Sequence, residues 1–265
     1  FHVLVGGTGS GKSQWAMQVA IHAAKEHRIP VLVLSLELDA LGVFARAASF
    51  VTMTARTEGD DTLRTVPWSS FYTGGYHHDE ARAADNRANI RAALPVVAPV
   101  LESLPVHWYE APPHGLPYTR LRSIASALRE LHPEHTGPVL VVLDFLQLVA
   151  GKMGEREDSI TRVSQAAYQC RAIARELGAV GAVVLALSST SRENASVIRD
   201  AGNDAASART GAVRKGGAHA GKPVRKPFAG TLVGLGKESG DVEFSADSVM
   251  VLVPEPRDDD EPQHQ

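Results

Sequence analysis

The stretch Gly6-Gly7-Thr8-Gly9-Ser10-Gly11-Lys12-Ser13 constrains this chain more than any other part of it. It follows the apolar run Val3-Leu4-Val5 and precedes Trp15, Val19 and Ala23, which fall at helical spacing. A glycine-rich turn between a strand and a helix that ends in Lys-Ser has the spacing G-x-x-x-x-G-K-[ST], the pattern of a phosphate-binding loop. The reason lies in the backbone. Several N–H groups have to converge on a polyanion, through conformations that glycine adopts without strain. Lys12 is then placed to reach the β and γ phosphates of a nucleotide, and the Ser13 hydroxyl to ligate Mg²⁺. A full motif in this strand-loop-helix setting weighs against a bare glycine-rich turn without a ligand.

A polyphosphate site needs a sheet to hold it. Apolar runs recur at Val3 to Val5, Val31 to Leu36, Val106 to Tyr109, Val139 to Leu143, Ala182 to Leu187 and Ser248 to Val253, with helical stretches between most of them. That alternation predicts an α/β fold whose mainly parallel, twisted sheet carries helices on both faces. From Ser159 to Leu177 the positions Ile160, Val163, Ala167, Cys170, Ile173 and Leu177 follow helical spacing, so one face of that helix packs on the sheet. Residues 59 to 87 lack periodicity and read as a loop-rich excursion, while Ile90 to Leu104 regains a helical pattern despite Pro95 and Pro99. With 265 residues and 44% hydrophobic content, one large domain over residues 1–253 is expected. The acidic residues 254–265 read as a disordered tail. A first strand within a few residues of Phe1 leads us to expect that an N-terminal part is missing from this chain.

Charge and cysteine usage narrow the classes further. A net charge of -3 excludes an overall basic nucleic-acid binder, so any such contact has to come from a local patch. Cys170 is the single cysteine, which rules out an internal disulfide and points to a reducing, cytoplasmic setting. Asp144 and Gln147 interrupt the longest apolar run, so no membrane span or membrane partner is expected. His77-His78 and His132-x-x-His135 lack nearby cysteines, and Pro133 spoils helical presentation of the second pair, which argues against zinc.

Hydrolysis of a nucleotide requires more than a loop: an acid for the metal, and a base or water-positioning group. Asp144 ends the buried run Val139-Leu-Val-Val-Leu143 and suits the metal-side role. Glu37 follows Val31-Leu-Val-Leu-Ser-Leu36, at the end of the strand after the loop's helix. In an open parallel sheet the C-terminal strand ends face one crevice, so both acids are expected near the phosphates. Glu37 can then orient or deprotonate the attacking water. A solvated strand-end acid is the plainer reading of each.

Taken in order, VLVLSLEL, VLVVLDFLQLV, REDSITRVSQAAYQCRAIARELGAVGAVVLALSSTSRE and KESGDVEFSADSVMVL resemble the C-terminal RecA-like ATPase domain of DnaB-type replicative helicases. The resemblance covers most of residues 1–253, and Asp144 to Leu148 with Glu238 to Gly240 are its most specific parts. It implies a RecA-like P-loop fold, ATP and Mg²⁺ as ligands, and hexameric rings with nucleotide between subunits. It also implies single-stranded DNA in the central channel, with primase or a loader as further partners. By the same resemblance Lys12 and Ser13 contact phosphate and metal, Glu37 is the catalytic carboxylate, and Asp144 is the metal-side acid. Gln147 lies near the γ-phosphate or the first channel loop, and Lys237 reaches a neighbour's nucleotide.

Two positions depart from the family pattern. Ser188-Ser189 stands where Ser-Gln is usual, which removes an amide able to sense the γ-phosphate. Lys237 stands where arginine is usual, and lysine is a point charge without the bidentate fork.

The DNA contact is expected between Arg192 and Pro227, where Arg192, Arg199, Arg209, Arg214, Lys215, Lys222, Arg225 and Lys226 face only Glu193, Asp200 and Asp204. A basic segment poor in apolar residues can track a phosphate backbone or be a plain solvated loop. No aromatic precedes Phe228 within it, so backbone contact rather than base stacking is the expected mode. Lys152 and Arg156, in the mixed-charge stretch Gly151 to Asp158, are the weaker candidate. Two other readings stand beside a helicase motor: a RecA or KaiC-like ATPase acting on protein partners, and a degenerate module that holds ATP without unwinding DNA.

Overall fold

The computed structural model describes residues 1–35, 38–57, 63–112, 116–146, 159–177, 181–189 and 245–252. Within them six strands form one sheet: β1 (His2–Gly6), β2 (Val31–Ser35), β3 (Val106–Glu110), β4 (Val139–Asp144), β5 (Ala182–Ser189) and β6 (Ser248–Val251), in the order β3-β2-β4-β5-β1-β6. Every pairing among these strands is parallel. Each apolar run named from the sequence supplies one of them, because β-branched and leucine-rich runs buried on both faces suit a covered parallel sheet.

Period-two alternation divides the strand side chains between two cores. Leu4, Val31, Val33, Leu140, Val142, Leu185 and Leu187 face one layer of helices: α1 (Lys12–His27), α2 (Ala40–Thr57), α3 (Trp68–Tyr72) and α4 (Glu80–Ser103). Val3, Val5, Leu32, Leu34, Val141, Leu143, Val184 and Ala186 face α5 (Tyr118–Leu131) and α6 (Ser159–Glu176). In α6 the positions Val163, Ala167, Cys170 and Ile173 are buried, as their spacing predicts. Burial pushes the Cys170 thiol up to about 12, which leaves it an inert part of the core.

The excursion between β2 and β3 is more ordered than its composition implies. It contains α3, and α4 begins at Glu80, ten residues before the helical pattern becomes visible in the sequence. Asp79 starts α4 by accepting hydrogen bonds from the Ala81 and Arg82 amides at 2.9 and 3.2 Å. Such a cap satisfies amide donors that a helix start otherwise leaves unpaired. Pro95 and Pro99 lie inside the helix without ending it. Among the described residues no helix is long and apolar enough to cross a membrane. The acidic segment 254–265 lies outside the described residues.

Candidate nucleotide-binding site

The register of the sheet brings the C-terminal ends of four strands to one crevice. Gly6 of β1 pairs with Ser189 of β5, and Ser35 of β2 pairs with Asp144 of β4. Strand β5 lies between β1 and β4, so the loop after β1 and the acid ending β4 face each other across one strand. Between them opens a cleft of about 430 Å³ lined by Thr8 to Gln14, Leu38, Arg46, Trp68, Asp144, Phe145 and Ser189.

Backbone geometry in the loop explains its glycines. Gly9 and Gly11 hold φ angles of 76° and 86°, in the left-handed region that side chains disfavour. A Cβ on Gly6 would stand 2.6 Å from Ser10 Oγ, so a side chain there would displace the Ser10 hydroxyl. Gly11 is also the residue that starts α1. It offers no side-chain cap, and the first turn carries no acid. A helix start of this kind leaves its N–H groups and positive dipole end for an external anion. Lys12 in the first turn opposes the helix dipole, a placement that a bound anion would make favourable.

Polar groups around the loop have unfilled capacity. Lys12 Nζ donates to the Gly6 and Gly7 carbonyls, each at 2.8 Å, which holds the ammonium against the loop. Ser10 Oγ and Gln14 Oε1 are buried with no hydrogen-bond partner among the described residues. Buried oxygens without partners are costly and call for a ligand or water. The donor set suits a Mg²⁺ triphosphate: an ammonium and helix amides for phosphate, with a hydroxyl at Ser13 and a carboxylate at Asp144 for a hard cation. Asp144 is only 6% exposed and lines the same cleft as Ser13.

The structure thus brings Gly9 to Ser13, Thr8 and Asp144 together, while Ser189, the site of a departure from the family pattern, lines the same cleft. Glu37, Gln147, Lys237 and the basic positions Arg192, Arg209, Arg214, Lys215, Lys222, Arg225 and Lys226 lie outside the described residues. Sequence reasoning missed Gln14, Arg46 and Trp68. The first is adjacent to Ser13, and that adjacency is its only signal; the other two come from α2 and α3, whose packing no local pattern announces. The histidines form a separate feature, with His107 Nε2 2.8 Å from His132 Nε2. Among the described residues no group of three or more His, Cys, Asp or Glu is placed to hold a metal ion.

Comparison with known proteins gives the same fold and a related sequence. No family model matches the chain. The replicative DNA helicase DnaB of Synechocystis sp. is 26% identical over 191 residues, covering 72% of this chain and 18% of that protein. The chain is similar to the ATPase domain of DnaB-type replicative helicases. One solved ATPase domain superposes with a TM-score of 0.56 at 17% identity, covering 95% of this chain and 68% of that one. A DnaB-like replicative helicase, solved in a study of its interactions with primase, superposes with a TM-score of 0.60 at 18% identity. That match covers 99% of this chain and 49% of that one. The DnaB-like fold is the RecA-like P-loop fold expected from the sequence. The chain spans under a fifth of the curated DnaB relative.

Proposed function

We propose that this chain is the ATP-hydrolysing motor domain of a DnaB-type DNA helicase, working at the subunit interfaces of a ring on single-stranded DNA. The observation that carries the reading is the cleft that holds the phosphate loop, Ser13 and Asp144 at the C-terminal edge of a parallel sheet. In this reading the loop amides and Lys12 bind the β and γ phosphates of ATP. Ser13 and Asp144 would hold Mg²⁺, which when bound neutralises phosphate charge. Glu37, two residues beyond Ser35 at the end of β2, accepts the proton of the attacking water. Gln147, just past β4, senses the γ-phosphate or joins the first channel loop. Lys237 of one subunit reaches the phosphate held by the next. Arg192, Arg209, Arg214, Lys215, Lys222, Arg225 and Lys226 grip the DNA backbone, with primase or a loader as further partners of the ring.

Ser189 supports a second reading. Its hydroxyl lines the cleft where family members usually present an amide, so nucleotide binding can persist while its coupling to DNA is weakened. Turnover measured with and without single-stranded DNA separates the readings. A motor hydrolyses ATP faster with DNA, a protein-directed ATPase is indifferent to it, and a degenerate module binds without turnover. Lys12→Ala should abolish nucleotide binding or turnover, and normal ATP affinity and hydrolysis in that variant would remove the phosphate-loop assignment.

A further inference from the structure

Within the cleft, a guanidinium lies over an indole. Arg46 Cζ stands 4.2 Å from the Trp68 ring centroid, and both residues line the cleft with Lys12, Ser13 and Asp144. We propose that Arg46 is a phosphate-sensing residue acting within its own subunit, with Trp68 as the seat from which the guanidinium moves to a terminal phosphate. The inference rests on the reading of the cleft as an ATP site.

Geometry places the pair within reach of the phosphates. Arg46 belongs to α2, and with Trp68 it lines the same cleft as the phosphate loop and Asp144. A polyphosphate held by the loop therefore occupies the space that the guanidinium borders.

Anchoring and chemistry favour a side-chain movement. The Arg46 carbonyl accepts a hydrogen bond from Gln14 Nε2 at 3.4 Å, tying the α2 backbone to the residue after Ser13. The guanidinium itself donates from Nη1 to the Gly42 carbonyl at 2.9 Å. Trp68 is 39% exposed, and a cation resting on a half-exposed ring is held weakly. A phosphate offers a charge-assisted, forked contact that arginine makes better than lysine. A γ-phosphate can therefore compete with the indole for the guanidinium.

The movement has a route outward. Trp68 packs at 6.3 Å between ring centroids against Tyr72, whose hydroxyl donates to Asp39 Oδ2 at 3.5 Å. Asp39 Oδ1 in turn accepts from the Gly42 amide at 2.7 Å at the start of α2. Asp39 is two residues past Glu37 in the sequence.

The test uses the whole chain with Mg²⁺, titrated with ADP and with a non-hydrolysable imido analogue of ATP. Calorimetry gives the affinities and tryptophan emission gives the local response. In the wild type the analogue should change emission more than ADP does. Trp68→Phe should remove most of that difference, leaving only what Trp15, near the loop, and Trp108 contribute. Arg46→Ala should weaken the analogue about tenfold or more while changing ADP less than about twofold, because ADP has no terminal phosphate for the guanidinium to grip. Arg46→Lys should fall between, and it serves if the alanine variant does not fold. Equal weakening of both nucleotides, no weakening of either, or an undiminished emission difference in Trp68→Phe overturns the sensor. Wild-type protein that binds neither nucleotide would instead overturn the ATP site, and the sensor with it.

Discussion

Glu37 and Lys12 are proposed to act on opposite ends of the same reaction, and conservative variants separate them. Glu37→Gln keeps the shape and hydrogen bonding of the side chain but removes the base, so ATP should bind with near-normal affinity while kcat falls about 10²–10⁴-fold. Single-turnover and equilibrium binding measurements check it, and equal loss of binding in both variants would make Glu37 structural. Away from the cleft, His107 offers a pH test. Burial, and then the neighbouring His132, hold its imidazole below the ordinary value of 6.5. The unfolded chain therefore takes up a proton that the folded chain refuses, so stability is full above 6.5 and falls as pH drops below it. The Nε2 to Nε2 contact reinforces this, since one ring has to accept the proton that the other donates. Acidification should lower the melting temperature of the wild type more than that of His107→Gln; identical pH profiles would show that this pair does not couple to folding. That the phosphate loop and Asp144 share one cleft was legible, because a glycine-rich turn and an acid ending a buried run are local patterns that a parallel sheet brings to one edge. Gln14, Arg46 and Trp68 were not, since what places them in the cleft is the packing of α1, α2 and α3.

At the scale of elements, the strands were legible and part of one helix was not, for physical reasons. A strand buried on both faces has to be a continuous apolar run, so each of the six stands out from its surroundings. Helix α4 buries only Ala83, Ala93 and Val97 from its twenty-four residues, which leaves almost no apolar stripe to read. Its start depends on Asp79, whose carboxyl the Arg82 and Ala81 amides hold below the usual range. Asp79→Ala should fray the first turn and lower the melting temperature, with amide exchange at Ala81 and Arg82 rising first; unchanged exchange there would show that packing alone starts the helix. Element α5 gives the complementary case. Leu121 is fully buried on the face of the sheet opposite α1 and α2, so Leu121→Ala should cost about 2–5 kcal/mol of stability. Because that face does not line the cleft, nucleotide affinity of the folded variant should stay within about twofold of wild type. A large loss of affinity would mean that the two cores do not act independently.

At the scale of the whole molecule, a ring motor requires an arrangement that one chain cannot make alone. Replacing Arg214, Lys215, Arg225 and Lys226 together with alanine should weaken single-strand binding alike for every base composition. The salt dependence should flatten by about 0.7 in log-log slope for each phosphate that the variant no longer neutralises. An unchanged slope would put the DNA elsewhere. Lys237 poses the sharper problem, because the proposed reading has it serve a neighbour's nucleotide, which only assembly can bring about. Its charge should matter more than its shape. Lys237→Ala should leave ATP binding nearly intact and lower turnover, whereas Lys237→Arg should retain or improve it by restoring a fork on the phosphate oxygens. Mixing Lys237→Ala subunits with Glu37→Gln subunits then tests the arrangement directly. In a mixed ring some interfaces pair an intact Glu37 from one subunit with an intact Lys237 from the next, although neither parent ring has such an interface. Activity should partly recover on mixing, in proportion to the fraction of such interfaces counted by mass measurement of the assemblies. If mixed rings form and remain as inactive as their parents, Lys237 does not act across the interface, and the cation that serves the γ-phosphate has to be sought elsewhere.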